Sequence, residues 1–134
     1  MAMRKYLLAT LTLLAALICS AAEPSADLLK FDVLEHNFGI INETDKPVEV
    51  EYAFENVSDE PVAVLSVSAA CGCTVPEYPV KPLRPGEKGI IKVTFTPDGQ
   101  AGEVNKDIKV RFQRAKARAS KSLTLRLKGA VKPK

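Results

Sequence analysis

Cys71-Gly72-Cys73 is where residue types and spacing in this chain point most directly to chemistry. If the strand through Leu65, Val67 and Ala69 continues unbent, both thiols point to the same face as those residues. Extended residues two apart have Cα atoms about 6.5–7 Å apart with parallel side chains, at or beyond the reach of a disulfide. Bridging them needs a bend at the middle residue, and Gly72 permits one. The small ring so closed is strained, and strained disulfides are easily reduced. Three readings stay open. The cysteines are structural, as small apolar residues or a local bridge that pins a strand end. Alternatively, the two thiolates belong to a soft-metal site for Cu(I) or zinc, or they exchange disulfides with another protein. The structural reading is favoured. A full metal site needs more ligands than Cys71 and Cys73, and the single histidine, His36, is distant in sequence. Catalytic redox pairs usually carry Cys-x-x-Cys at a helix start, where the helix dipole favours the thiolate, and no helix is predicted here.

Other chemistry finds little support. A Ser-His-Asp set would have to use His36, and nothing in the sequence places a nucleophile beside it. Gly-rich phosphate-cradling loops are absent, no cofactor is implied, and the chain does not read as an enzyme. Asn42-Glu-Thr44 and Asn56-Val-Ser58 fit the N-glycosylation pattern, which is short and common by chance.

The segments that must position the thiols alternate with period two. Val48, Val50, Tyr52 and Phe54 alternate with residues that are mostly charged or polar, as do Ile91, Val93 and Phe95; Ile108, Val110 and Phe112; and Leu123, Leu125 and Leu127. Each run predicts a strand with one buried face. Leu29 to Ile41 and Val62 to Ala70 are less regular but also rich in apolar and β-branched residues. Turn signals at Thr44–Pro47, Asn56–Pro61, Pro85-Gly86 and Pro97–Gly99 separate them. Arg114 to Lys121 lacks an apolar stripe and reads as a basic hairpin loop. The prediction is an all-β, immunoglobulin-like sandwich of about seven antiparallel strands over residues 31–131. It follows a signal peptide over 1–22 and a linker over 23–30, and ends in a disordered tail over 132–134.

The signal reading rests on Arg4 and Lys5, the uncharged run from Tyr6 to Cys19, and small residues before a cut after Ala22. That run is shorter than the roughly 18–20 residues a membrane span needs, and no later segment is long and apolar enough to span one. A lipoprotein reading of Cys19 is weaker, because Ile18 stands where a small residue is favoured. Removed or acylated, Cys19 leaves Cys71 and Cys73 as one pair of thiols, and an even count suits an oxidising compartment.

Charge is unevenly spread. All 16 acidic residues precede Ile108, and from Ile108 onward there are ten bases and no acid. The favoured reading is that basic strands lie beside acidic ones; a basic face for acidic surfaces is the sharper alternative. Few aromatics accompany the basic residues, so nucleic acid is not an expected partner.

His36-Asn-Phe-Gly39, Phe54-Glu-Asn56, Cys71-Gly-Cys-Thr-Val-Pro76, Leu83-Arg-Pro-Gly86 and Val93-Thr-Phe95 together resemble a bacterial family of unknown function. Its members are exported proteins, frequent in Bacteroidetes, marked largely by Cys-Gly-Cys-Thr. The family is similar to Ig-like domains of the PapD, major-sperm-protein and Hydin type. The resemblance implies an Ig-like fold and export, and leaves the chemistry open. The chain departs from it at Gln113–Lys121, where members commonly have a short polar turn. The expected role is therefore a non-enzymatic structural or interaction module of the periplasm or cell envelope, whose partner is another envelope or secreted protein. The alternative is a thiol site at Cys71 and Cys73 that binds Cu(I) or exchanges disulfides.

Overall fold

The alternating runs become strands because each can bury one face and wet the other. The computed structural model describes residues 25–26, 28–70, 72 and 74–134. In chain order the strands are β1 (Ser25–Ala26), β2 (Leu29–Phe31), β3 (Glu35–Asn42), β4 (Val48–Asn56), β5 (Val62–Ala69), β6 (Thr74–Glu77), β7 (Lys88–Phe95), β8 (Gly102–Arg114) and β9 (Lys121–Lys132). Among the described residues they form a five-stranded sheet in the order β1-β2-β4-β7-β6 and a four-stranded sheet in the order β3-β9-β8-β5. No α-helix occurs among them. The signal peptide expected over 1–22 lies outside the described residues.

The core sits between the sheets. Val50, Tyr52 and Phe54 of β4 and Ile91, Val93 and Phe95 of β7 face Ile108, Val110 and Phe112 of β8 and Leu125 and Leu127 of β9, all buried. Phe31 stacks on Phe54 with ring centroids 5.1 Å apart, and Phe38 on Phe95 at 5.2 Å. Burying each such side chain stabilises the fold by roughly 1.5–3 kcal/mol.

The run from Leu29 to Ile41 is two strands in different sheets. The Asp32 N–H donates to the Ala53 carbonyl on β4, whereas the Leu34 carbonyl accepts from the Arg126 N–H on β9. The chain therefore changes sheets at residues 32–34. β3 pairs with β9 in parallel, while the other six pairings are antiparallel. Period-two alternation is the same in both senses, so direction was not encoded in the pattern that predicted the strands. β3 carries a bulge between Asn37 and Ile40. Gly39 holds φ at 79° there, and its N–H is met by the Asn37 side-chain oxygen at 2.8 Å.

Two expected boundaries move outward. Leu28 and Leu29, assigned to a linker over 23–30, are core residues, because Leu29 pairs with Asn56 and the Leu28 carbonyl accepts from Val57. The tail over 132–134 is tied down: Lys132 belongs to β9, the Lys134 N–H donates to Glu43, and its ammonium meets Asp98 at 2.8 Å. Arg114 to Lys121 is a hairpin loop, as expected, joining the paired strands β8 and β9.

Candidate functional site

Cys71 and Cys73 both lie outside the described residues, so their geometry and redox state are not part of the structure. Their frame is. Ala69, the last residue of β5, pairs with Ile108, and Thr74, the first of β6, pairs with Phe95 and is buried. β5 is an edge of the four-stranded sheet and β6 an edge of the five-stranded one. Between Ala69 and Thr74 the chain passes from one sheet to the other, and Gly72 lies in that interval. Gly72 is exposed, and a Cβ there would meet nothing within 4 Å, so packing does not demand glycine at that position. After the pair the chain returns to strand. Thr74–Glu77 is a strand and includes Pro76, which an edge strand tolerates because one side of its ladder has no partner.

His36 is brought to a place the sequence did not signal. It lies on β3 opposite Leu127, with its ring edge-on to Tyr52 at 6.2 Å between centroids. His36 Nδ1 is buried without a hydrogen-bond partner among the described residues. The Tyr52 hydroxyl donates to the Arg126 carbonyl at 2.7 Å. Burial, helped by the negative charge of Glu35, pushes the Tyr52 phenol up to about 12. It stays protonated near neutral pH and cannot act as a base there. Among the described residues no group of three or more His, Cys, Asp or Glu side chains could hold a metal ion.

Asn56 is a structural hub. Fully buried, it donates from Nδ2 to the carbonyls of Glu60 (2.8 Å) and Leu83 (2.9 Å), and its Oδ1 accepts from the Ser58 N–H and hydroxyl. Its backbone carbonyl accepts from Gly86 and its N–H donates to Glu87. A side-chain amide enclosed in this way has no room for a glycan in the folded protein. The signal was legible only as a polar residue ending an apolar alternation.

The motifs that carried the family resemblance therefore mostly build the sandwich. Phe54-Glu-Asn56 grips Leu83-Arg-Pro-Gly86 through the Asn56 hub. Phe38, beside the β3 bulge, lies on Gly129, where a Cβ would come within 2.2 Å of the ring, and stacks on Phe95 of Val93-Thr-Phe95. Cys-Gly-Cys remains the motif with no structural task assigned among the described residues. Part of the charge asymmetry also resolves: β9 sends Lys128 to Glu35 at 3.1 Å and Arg126 to Asp107 at 3.2 Å.

Two stacked sheets, with the chain crossing between them at residues 32–34, define an immunoglobulin-like sandwich. The chain belongs to the family described as protein of unknown function (DUF1573), whose sequence profile matches residues 29–131. PapD-like domain 7 of human CEP192 is similar, with a TM-score of 0.67 at 13% identity over 90% of this chain and 96% of that one. A protein of unknown function from Porphyromonas gingivalis W83 gives 0.64 at 12% identity, covering 77% of this chain and 46% of that one. This chain thus spans about half the length of the Porphyromonas protein. The CsuC–CsuE chaperone–tip adhesion subunit pre-assembly complex of Acinetobacter baumannii gives 0.55 at 16% identity, over 78% of this chain and 57% of that one. At these identities the likeness is one of fold. No curated protein matches the chain in sequence.

Proposed function

We propose that this chain is a non-enzymatic, exported Ig-like module that captures an extended segment of another envelope or secreted protein on the open edge of β5. One observation carries the reading. β5 is an eight-residue edge strand, Val62-Ala-Val-Leu-Ser-Val-Ser-Ala69, with no charge, no proline and no glycine. Edge strands normally carry such residues to block unwanted pairing. The other described edges are defended more heavily: β1 has two residues, β6 has four including Pro76, and β3 is bulged at Gly39, whereas β5 carries a register shift between Val64 and Ser66 and a single bridge from Val62 to Leu83. Leu65, at that register shift, is 42% exposed and offers an apolar anchor beside the ladder left open beyond Val62. The likeness to a chaperone that was solved with an adhesion subunit supports a protein partner, and the leader-like sequence over 1–22 supports export.

The test is site-specific photo-crosslinking from position 65 in producing cells. A discrete protein adduct is expected, and Ser66→Lys with Ser68→Lys should abolish it while circular dichroism shows an intact sandwich. An adduct that survives both charges rules out capture by this edge.

The second reading keeps Cys71 and Cys73 as a thiol site that binds Cu(I) or exchanges disulfides. The exposed position of Gly72 between them supports solvent access to that turn. Thiol titration with and without reductant, followed by Cu(I) competition, tests it.

A further inference from the structure

The open edge of β5 is blocked at one end. Val62 exchanges two backbone hydrogen bonds with Leu83, at 2.8 and 2.9 Å, so Leu83 stands where an added strand would otherwise meet Val62. The chain does not extend that ladder itself. Pro79 and Pro82, just before Leu83, have no N–H to give, and the chain bends at Lys81. The edge therefore stays open from Val64 to Ala69. A captured segment has to end, or turn out of the sheet, where it reaches Leu83.

That blocked end is basic. Lys81 and Arg84 line one cleft of about 530 Å³ with Pro82, Pro85, Gly86 and Glu87. Both bases are exposed, and neither is ion-paired among the described residues. Arg114 lies opposite Val62 on β8, and Lys116 and Arg118 follow in the hairpin loop that the Ala115 N–H ties to the Pro61 carbonyl. The acids at this end are Asp59, Glu60 and Glu87. Glu87 already accepts the Arg84 N–H at 2.8 Å, and Asp59 and Glu60 lie in the turn before Pro61. Lys88 stands opposite Glu55, and Lys121 has a partner of its own, so neither adds free positive charge.

Direction and sign together select the occupant. A segment antiparallel to β5 enters beside Ala69 and finishes beside Val62. A parallel one would begin there and set its α-ammonium among these bases, and parallel pairing is also slightly the weaker. An internal segment brings no terminal charge and has to turn away at Leu83. Given capture by the β5 edge, on which this inference rests, we propose that the captured segment is the C-terminal end of the partner. It runs antiparallel to β5, with its terminal carboxylate at Lys81 and Arg84. Arginine meets a carboxylate with a planar fork of donors, and lysine adds a point charge.

The test uses fluorescence anisotropy of the full chain with a labelled hexapeptide, Thr-Val-Thr-Val-Thr-Val. It is offered as the free acid, as the C-terminal amide, and extended beyond its last valine by six Gly and Ser residues. At low salt the free acid should bind about three- to tenfold more tightly than the other two. Salt at about 0.5 M should remove the difference. Lys81→Gln with Arg84→Gln should bring the free acid to the affinity of the amide and leave the amide unchanged, with intact circular dichroism. Equal binding of acid and amide to the wild type overturns the C-terminal assignment and leaves edge capture standing. A preference for the acid that survives both substitutions overturns it as well. Binding of none of the three peptides, or binding unaffected by Ser66→Lys with Ser68→Lys, overturns capture by β5 itself.

Discussion

The Tyr52 hydroxyl on β4 donates to the Arg126 carbonyl on β9 at 2.7 Å, so one side chain of the five-stranded sheet is hydrogen-bonded to the backbone of the other sheet. The bond lies beside the place where the chain changes sheets, since Arg126 also donates its N–H to Leu34. Tyr52→Phe keeps the ring and strands the carbonyl. It should cost about 1–2 kcal/mol, measured by urea unfolding.

The same tyrosine predicts a pH dependence. Its folded pKa of about 12 exceeds the ordinary value of 10.0, so above pH 10 the unfolded chain releases this proton more readily than the folded one. The stabilising contribution is complete below pH 10 and is lost as pH rises toward 12. Unfolding midpoints across this range should fall less steeply in Tyr52→Phe than in the wild type.

Asn56→Ala removes two donors to carbonyls and the acceptor for Ser58 from a fully buried site. A loss of about 2–4 kcal/mol is expected, because the groups left behind stay buried and unpaired. Asn56→Asp should not rescue it, since a carboxylate cannot donate to Leu83 and Glu60. Denaturant unfolding of the two variants checks both statements.

Gly129→Ala would drive a methyl into the Phe38 ring, which itself lies on Phe95. A cost of about 1–3 kcal/mol is expected from overpacking. In a Phe38→Ala background the same change should be nearly neutral. A double-mutant cycle on unfolding free energies reads the coupling.

Cys71→Ser with Cys73→Ser should leave the fold and the β5 crosslink intact if capture is the work of the edge. Loss of the crosslink in a folded variant would move the functional centre to the thiols. Crosslinking yield and circular dichroism on one preparation separate the outcomes.

Strand positions were readable wherever side chains alternate, as in Val48–Phe54 and Leu123–Leu127, because burial of one face imposes that period locally. The short strand Thr74–Glu77 was missed: Pro76 argues against a strand, and only its place at an edge permits one. The linker over 23–30 took in Leu28 and cut into the run from Leu29, because a strand of three residues is too short to show a period of its own. The Asn56 hub was hidden because its partners are backbone carbonyls, which have no sequence signature.

The sequence alone determined an all-β sandwich, the positions of most strands, the basic hairpin and the Cys-Gly-Cys pair, since each follows from residue type and near-neighbour spacing. Tertiary structure decided which strands lie in which sheet, the parallel pairing of β3 with β9, and the open edge of β5 with its block at Leu83. These depend on residues far apart in the chain being brought together. Their burial and hydrogen bonding are settled only when both sheets close over one core.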